Sequence, residues 1–296
     1  MEFIDKTKGD QRAHLLLKGF LDRCLNMTPY PADLYEAMKH DVEPDVTINP
    51  LQKHTYNLLL EWILEETHIS DNLNSDEGYC CYCMRKIKAN EAHSTLEHII
   101  PKSIDNEVPY SNYFDVPSEL EKDEHIMAMK TIFLNKYHKQ ALPCPHNAAY
   151  ENLVASCDGS LPKGSSNHVC CNGPRGAKKI PPMMFMKNIH DEIKYKTSGY
   201  VVWKDNSYID KRERAKIIND VLCLNNDILR MVRKIWYFLC KEGKNCLTAD
   251  RRQVIDTLRP QCIGEEKNIL QNFYQDNYWY LLQDYTYFND ISKFTI

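Results

Sequence analysis

The sequence predicts an α+β protein that is mostly helical and carries an irregular, cysteine-rich segment near its middle. Apolar residues recur at helical spacing in both terminal parts of the 296-residue chain. The middle part instead combines clustered cysteines, glycines and prolines with short β-type runs such as 200–203. These changes divide the chain into a helical N-terminal region (1–75), a site region (76–207) and a helical C-terminal region (208–296). Within the site region, residues 104–145 are predicted to be an insertion with a charged helical stretch.

Three helices are predicted in the N-terminal region. Leucines at helical spacing predict the first helix over residues 10–27. Pro31 suits the first turn of a short helix over 32–39, and a further helical pattern covers 51–69. The polar stretch 70–77 then breaks the periodicity, as expected of a linker.

Helical patterns return in the C-terminal region. A long amphipathic pattern covers 209–239, a second covers 249–258, and a tyrosine-rich third covers 265–288. Aromatic residues spaced in this way are more often part of a core or a partner interface than a platform for stacking bases.

The composition is that of an ordinary globular protein. Hydrophobic residues make up 43% and charged residues 26%, and no apolar run approaches the roughly 20 residues that a membrane span requires. The first residues include acidic side chains and no apolar segment, which argues against a secretory signal or a transit peptide. We therefore expect a cytoplasmic protein with no membrane association. The net charge of −4 argues against nucleic-acid binding by the whole surface.

The twelve cysteines fall into two groups. In a chain without an export signal, thiols and metal ligation explain them better than disulfides, because the cytosol keeps thiols reduced. Six are scattered and are interpreted as small buried hydrophobic residues: Cys24, Cys144, Cys223, Cys240, Cys246 and Cys262. The other six lie close together in two places: Cys80, Cys81, Cys83, Cys157, Cys170 and Cys171.

Two pairs of these clustered cysteines are suited to one metal ion. Cys80 and Cys83 form a CxxC pair, in which two thiolates can face a tetrahedral ion. Cys157 and Cys171 form a second pair across a long loop, and the Gly and Ser residues at 159–166 allow that loop to fold back. Zn²⁺ requires four ligands and is indifferent to their separation in sequence. These four cysteines are therefore the predicted ligands of a structural zinc ion.

Three other residues compete for this site. Cys81 and Cys170 are each adjacent to a chosen ligand, and His168 could replace one sulfur. An isolated histidine near such a pair is more often a surface residue or a phosphate contact, so the set of four cysteines is preferred.

The sequence STLEHIIPKS lies between the two cysteine groups, at residues 94–103. Taken alone, its EHIIP core is uninformative, because a strand histidine beside a glutamate can be a structural pair. The order of motifs is more specific. The CxxC pair, the EHxxP core, an Asn-Leu pair at 152–153 and a Cys-Asn pair at 171–172 follow one another. This order resembles that of the HNH, or ββα-metal, endonucleases over about residues 78–180.

Four longer segments resemble a narrower group within this superfamily: LEHIIPKS, YENLVASCDGS, CNGPRGAKKIPP and VLCLNNDILRMVRK. They are similar to the HNH proteins associated with retrons and with Septu-type anti-phage systems. The resemblance implies a hairpin and a helix that grip one ion, with zinc behind them. It also implies an ABC-type or SMC-like ATPase as partner, with a retron reverse transcriptase and its DNA as further candidates.

The resemblance assigns catalytic roles to four residues. His98 looks like the general base, and Glu97 and Asn172 look like ligands of a catalytic Mg²⁺ or Mn²⁺ ion. Asn152 is similar to the asparagine that pins the loop and thereby orients His98. The chemistry agrees, because hydrolysis of a phosphodiester needs a base that is neutral near pH 7 and a cation beside the phosphate. Since neighbouring strand residues point to opposite faces, a bend must bring Glu97 towards His98.

Basic side chains in the site region are candidate phosphate contacts. Residues 156–187 carry five lysines and arginines against Asp158 alone. A solvated loop is an equally good explanation of the charge. The residues predicted to bind nucleic acid are Lys102, Lys163, Arg175, Lys178 and Lys179.

The sequence therefore predicts a metal-dependent endonuclease that hydrolyses nucleic-acid phosphodiesters, with DNA favoured and RNA or tRNA as alternatives. We expect it to act in antiviral defence beside an ATPase. Two other hypotheses stay open. A non-catalytic zinc module could bind nucleic acid or protein, although it would not need the EHxxP histidine. An adaptor could bind an ATPase through its aromatic C-terminal helices and retain a decayed site.

Overall fold

The computed structural model describes residues 1–6, 11–42, 54–67, 73–74, 76–89, 91–102, 123–128, 131, 145–162, 169–204, 210–275 and 277–295. Over these residues the protein is a mixed α+β molecule with helices in both terminal regions and three small sheets. The predicted class is therefore confirmed at this level. Most of the predicted insertion, residues 104–145, lies outside the described residues.

The N-terminal region contains α1 (Gln11–Leu25), α2 (Leu34–His40) and α3 (Thr55–Glu65). All three match the predicted helices to within a few residues, because each buries one apolar face in the core. The start of α2 is set by Asp33, whose carboxylate accepts hydrogen bonds from two backbone N–H groups of the first turn. The predicted start at residue 32 is corrected accordingly, since the helix begins at Leu34, after this cap.

Two of the sheets are two-stranded. Strands β1 (Glu77–Tyr79) and β2 (Lys86–Lys88) form an antiparallel hairpin. Strand β3 (Ser94–His98) pairs antiparallel with β4 (Leu153–Cys157), which sets Ser94 opposite Cys157 and His98 opposite Leu153. The predicted catalytic histidine and one predicted zinc ligand thus lie at opposite ends of the same small sheet.

The third sheet joins two strands near the end of the predicted site region to one strand near the end of the C-terminal region. The short helices α4 (Asn172–Arg175) and α5 (Ile189–Glu192) precede its first strand along the chain. Strand β5 (Ile193–Lys196) lies between β6 (Val201–Trp203), which is antiparallel to it, and β7 (Phe294–Thr295), which is parallel. The predicted strand near 200–203 is confirmed as β6.

The long helix predicted over 209–239 is in fact two helices. The first, α6 (Lys211–Lys216), continues as a π-helical segment over Ile217–Val221. The second, α7 (Asp227–Lys241), starts afresh because Asn226 caps it by accepting a hydrogen bond from a backbone N–H of its first turn. The apolar pattern runs through this break and conceals it.

Two helices and a series of short turns complete the C-terminal region. Helix α8 (Arg251–Leu258) is as predicted, but α9 (Glu265–Gln275) ends well before residue 288. Asn277 has a φ of 56°, which a continuing helix does not allow, and the chain passes into 3₁₀ turns and the short α10 (Leu281–Asp284). The aromatic residues of this part are mostly buried, as predicted for a core segment: Phe273, Tyr278, Trp279, Tyr285, Tyr287 and Phe288.

Buried apolar side chains from all three predicted regions form one contiguous hydrophobic core. The two ends of the described chain meet there, since β7 pairs with β5 and the carboxylate of Glu2 accepts a hydrogen bond from Tyr287 at 2.5 Å. The boundaries at 75/76 and 207/208 stay a prediction. Among the helices that the structure describes, none is both long enough and apolar enough to cross a membrane.

Candidate functional site

Four buried cysteine side chains converge at the end of β4. The sulfur atoms of Cys80, Cys83, Cys157 and Cys171 all lie within 4.8 Å of one another. The Cys80–Cys171 and Cys83–Cys157 sulfur distances are both 3.8 Å. Tetrahedral ligation at the usual zinc–sulfur distance of about 2.3 Å places sulfurs about 3.8 Å apart. This set of cysteines, the one predicted, therefore has the spacing and the enclosure to hold a metal ion such as zinc.

Local backbone turns bring these sulfurs together. The N–H of Cys80 donates to the carbonyl of Arg85 at 2.8 Å, and Met84 between them has a φ of 63°. This tight turn presents Cys80 and Cys83 from one side. Cys171 also has a positive φ, 52°, and its N–H donates to the carbonyl of Leu222 at 2.8 Å. Two non-glycine residues thus accept an uncommon backbone conformation next to the cluster.

The long loop between Cys157 and Cys171 is closed at its base. The N–H of Cys170 donates to the carbonyl of Gly159 at 2.8 Å. Gly159 has a φ of 84°, and a Cβ atom there would lie 2.0 Å from the carbonyl oxygen of Cys170. Only glycine permits this approach. The predicted folding back of the loop is confirmed at its base, while residues 163–168 lie outside the described residues.

Sulfur positions exclude the two competing cysteines from the set of four ligands. Cys81 and Cys170 are buried beside the cluster, but neither belongs to the group of four mutually close sulfurs. His168 lies outside the described residues. The scattered cysteines that the structure describes are mostly buried, as predicted for small hydrophobic residues; Cys240 is only partly so, and Cys144 is not described.

Hydrogen bonds among the thiols favour ionisation of one member of the cluster, Cys80, whereas neighbouring thiols and burial raise the pKa of Cys83, Cys157 and Cys171 above the ordinary value. Burial opposes the thiolate of Cys80, but hydrogen bonds from Cys157 and Cys171 lower the pKa of Cys80 well below its ordinary value. The thiolate is the form that binds a metal. Hydrogen bonds from Cys157 and Cys171 lower the pKa of Cys170 in the same way. Electrostatics alone therefore does not distinguish Cys170 from a ligand, and the sulfur distances do.

The C-terminal region contributes to the surroundings of the cluster. The Tyr285 hydroxyl lies 3.8 Å from the sulfur of Cys83. Arg85, which follows the cysteine turn, forms an ion pair with Asp284 at 2.9 Å and donates to the carbonyl of Ser160 at 3.2 Å. Such partners orient metal ligands and fix the turns that carry them.

A cleft of about 280 Å³, lined by both polar and apolar residues, opens at the other end of the β3–β4 sheet. Three of the four predicted catalytic residues line it together, although they come from segments more than 70 residues apart. Glu97 and His98 both face it, because β3 ends at His98 and the chain bends at residues 99–100. The polar and aromatic lining consists of Tyr35, Glu97, His98, Lys102, Asn172 and Arg175.

The imidazole of His98 is buried and held in one orientation. Its Nε2 lies 3.0 Å from the carbonyl oxygen of Asn147. A carbonyl can only accept a hydrogen bond, so Nε2 carries the proton and, in the neutral ring, the lone pair is on Nδ1. The ring of Tyr35 packs edge-on against the imidazole, with ring centres 4.8 Å apart.

Asn152 lies beneath the cleft and holds the chain that follows His98. The side chain is fully buried. Its Oδ1 accepts from the backbone N–H of Ile100 at 2.7 Å, and its Nδ2 donates to the Ile100 carbonyl at 3.1 Å. The structure thus places Asn152 where it can fix the segment after His98.

Arg175 does not lie on the predicted nucleic-acid-binding surface. The side chain is 1% exposed and forms an ion pair with Glu97. It also donates to the carbonyls of His98 at 2.6 Å and Ile99 at 2.7 Å. The predicted phosphate contact is therefore corrected, because the guanidinium is committed inside the fold. The ion pair with Arg175 also engages the carboxylate of Glu97, which was predicted to bind the catalytic cation.

The remaining predicted nucleic-acid contacts are dispersed. Lys178 and Lys179 are exposed and form no ion pair with the residues that the structure describes. Lys102 lines the cleft and forms an ion pair with Asp33 at 3.1 Å. Lys163 lies outside the described residues.

Tyr35 is a site residue that sequence reasoning missed. It belongs to α2, in the predicted N-terminal region, and its hydroxyl donates to the backbone carbonyl of Leu96 in β3 at 3.0 Å. Burial raises the pKa of Tyr35, so the phenol stays protonated and can donate. A single tyrosine in a short amphipathic helix gives no sign of a contact about 60 residues away.

The chain matches no protein-family model, no curated protein and no solved structure. Its candidate site is therefore defined by its own residues. These form a closed cluster of four cysteines and, at the far end of the same sheet, a cleft that joins His98, Glu97 and Asn172.

Proposed function

We propose that this protein is a nuclease of the HNH type, in which His98 activates water for the hydrolysis of a phosphodiester. One observation carries the proposal. An oriented imidazole lies in a cleft beside Asn172 and Lys102, and a four-cysteine cluster lies at the opposite end of the same antiparallel pair of strands. The order β3, β4, α4 around these features supports a ββα-metal core.

His98 would act as the base through Nδ1. Its Nε2 proton is held by the Asn147 carbonyl, so the neutral ring can accept a proton from water only at Nδ1. Tyr35 packs against the ring, and Asn152 holds the backbone of the segment that follows His98. Lys102 in the same cleft offers a positive charge to the phosphate.

A divalent cation, Mg²⁺ or Mn²⁺, would supply positive charge at the scissile phosphate. Glu97 and Asn172 offer the oxygen donors that hard cations accept. Because Glu97 is paired with Arg175, a cation can bind there only if the carboxylate turns away from the guanidinium. We therefore expect weak cation binding, which a titration of activity against Mg²⁺ and Mn²⁺ concentration measures. Zinc at the four cysteines would have a structural role.

The proposal is tested with His98→Ala and a matched control, His190→Ala. His190 is an exposed histidine outside the cleft. Duplex DNA, single strands and tRNA are incubated with each protein in Mg²⁺ or Mn²⁺. Loss of a general base typically costs about 10²–10⁴-fold in rate, so we expect that loss for His98→Ala and none for His190→Ala. Equal cutting by all three proteins would refute the role of His98.

We extend the proposal to antiviral defence, with the protein as the effector that acts beside an ABC-type or SMC-like ATPase. This part is supported by the resemblance of the four sequence segments to retron-associated and Septu-type proteins. DNA is the favoured substrate and RNA or tRNA the alternative. Repeating the incubation with and without a candidate ATPase of this class tests whether cutting depends on such a partner.

One observation favours a non-catalytic alternative. Glu97 is buried in an ion pair with Arg175, which is the arrangement expected of a decayed cation site in a zinc-binding adaptor or nucleic-acid-binding protein. Such a protein would co-purify with its partner and cut no substrate in any cation, with or without the ATPase. Metal-dependent cutting that is lost in His98→Ala excludes this alternative.

A further inference from the structure

A second cavity, of about 760 Å³, lies between the β6–β5–β7 sheet and the helix α6 with its π-helical continuation. We call it the basic groove. Among the described residues that line it, every charged side chain is basic: Lys194, Lys196, Lys204, Lys211 and Arg214. The protein as a whole has a net charge of −4, so this groove is a local reversal of its charge.

The four lysines among the cations of the basic groove are wholly or partly exposed to a ligand. Lys196, Lys204 and Lys211 are exposed and form no ion pair with the residues that the structure describes. Lys194 donates to the carbonyl of His190 at 3.3 Å and has a 3.4 Å contact with the exposed carboxylate of Asp191. Five cations in one concavity repel each other, and an anionic ligand with several charges relieves that repulsion.

Aromatic and apolar side chains complete the lining. Tyr200 is 39% exposed, and the guanidinium of Arg230 lies 3.7 Å from its ring centre on one face. A ring supported in this way can stack a planar ligand on its other face. Trp203 is 8% exposed, and its indole N–H has no hydrogen-bond partner among the described residues. A buried N–H of this kind is free to bind an acceptor on a ligand.

The walls of the basic groove are joined by hydrogen bonds and contact the helix that carries Asn172. Asn225 forms two hydrogen bonds with the backbone of Val201, at 2.7 Å and 3.0 Å, which hold the α6–α7 connection to β6. The π-helical wall also contacts α4, which carries Asn172. A ligand in the groove would therefore lie against an element that packs on the helix of the cleft.

We infer that the basic groove binds single-stranded nucleic acid, with the lysines on the phosphates and the aromatic lining on the bases. Positive grooves with interspersed aromatic side chains are the usual means of binding single strands. A duplex does not fit this lining, because its bases are stacked and paired and cannot reach Tyr200 or Trp203. An acidic peptide would satisfy the lysines but would leave the aromatic lining without planar partners.

The inference deepens the proposed nuclease function and rests on it only in identifying the bound strand as the substrate. Binding itself is independent of His98. It is therefore measured in the His98→Ala background without added divalent cation, so that no cleavage occurs. Binding without cutting by the wild type would refute the nuclease and leave the groove intact. Cutting by the wild type without binding in the groove would support the nuclease and refute the groove as a binding site.

The test uses fluorescence anisotropy with labelled single-stranded DNA and RNA oligonucleotides and a duplex of equal length. Lys196→Ala/Lys211→Ala is compared with Lys241→Ala/Lys267→Ala, which removes equal charge from exposed positions outside the groove. We expect the groove pair to weaken single-strand binding roughly tenfold or more. The slope of log affinity against log salt should also become shallower by about 1.4, which is two phosphate contacts at about 0.7 each.

A third variant tests the aromatic contact separately from charge. Tyr200→Leu leaves every lysine in place and removes the ring, so we expect a loss of about fivefold or more in affinity with an unchanged salt slope. Equal loss in the two lysine pairs, or duplex binding as tight as single-strand binding, would overturn the inference. The DNA and RNA arms identify which single strand the groove prefers. Far-UV circular dichroism confirms that each variant is folded.

Discussion

Asn152 holds the segment that follows His98 through two hydrogen bonds to the backbone of Ile100. Replacing it by alanine leaves the backbone N–H and carbonyl of Ile100 without their side-chain partners in a buried place. Each such group costs about 1–3 kcal/mol. We therefore predict that Asn152→Ala lowers the free energy of unfolding by about 2–4 kcal/mol, as measured by urea denaturation.

The matched control for this prediction is Asn268→Ala. Asn268 is an exposed asparagine on α9, and its removal should change the free energy of unfolding by less than about 0.5 kcal/mol. If Asn152→Ala is as stable as this control, the two hydrogen bonds to Ile100 do not hold the loop.

The contribution of Arg175 to stability can also be measured with a single substitution. Removing one partner of a buried ion pair typically costs about 3–5 kcal/mol, because the remaining charge stays buried. We predict a loss of this size for Arg175→Ala and almost none for the exposed Lys178→Ala. The double variant Glu97→Gln/Arg175→Met should recover part of the loss, since it removes both charges. A fully stable Arg175→Ala would show that the pair does not form.

At the scale of elements, the start of α2 should depend on pH. Partial burial opposes ionisation of Asp33, but hydrogen bonds from Lys102 and from backbone N–H groups lower the pKa of Asp33 below its ordinary value. A carboxylate whose pKa is lower in the folded than in the unfolded protein stabilises the fold at pH values above its unfolded-state pKa, near 3.9. This stabilisation is lost as the pH falls through the folded-state pKa.

Asp33→Asn tests this dependence. Asparagine also caps helices, so the variant keeps the cap and loses the charge. We predict that its thermal midpoint lies below that of the wild type at pH 6 and that the difference shrinks below about pH 4. Asp33 is considerably exposed, so the effect is small. A difference that stays constant from pH 3 to pH 7 would contradict this origin.

The helices also show how far sequence patterns reach. Apolar spacing predicts α1, α3 and α8 well, because one face of each packs on the core and little else decides their extent. It does not predict the break before α7 or the end of α9. Both are set by single asparagines, a cap at Asn226 and a positive φ at Asn277, inside a continuous apolar pattern.

At the scale of the whole molecule, the parts of the site that depend on metal-binding chemistry could be predicted from the sequence. The parts that depend on packing between distant segments could not. Four thiolates around one ion are recognisable from residue type and spacing, so the cysteine cluster agrees with the prediction. The contacts of Tyr35 with His98 and of Tyr285 with Cys83 join distant segments. These contacts result from the packing of one common core, which cannot be predicted from the local sequence.

The four-cysteine cluster should therefore determine the stability of the whole protein. Its ligands come from three separate stretches of chain, the turn at 80–83, the end of β4 and residue 171, so one bound ion closes two long loops at once. Without the ion, four thiols are confined at contact distance with no covalent link between them. Binding free energy at such a site is folding free energy for everything that packs on it.

We predict about one zinc per chain by elemental analysis and a large fall in the thermal midpoint after treatment with a zinc chelator. Cys171→Ser should lose the metal and the stability together, whereas Cys240→Ser, a cysteine outside the cluster, should retain both. Because Cys171 directly precedes α4, loss of the metal should also displace Asn172 and abolish any cleavage. A chelator-treated protein that is metal-free and melts at the untreated temperature would show that the sulfurs converge for packing alone.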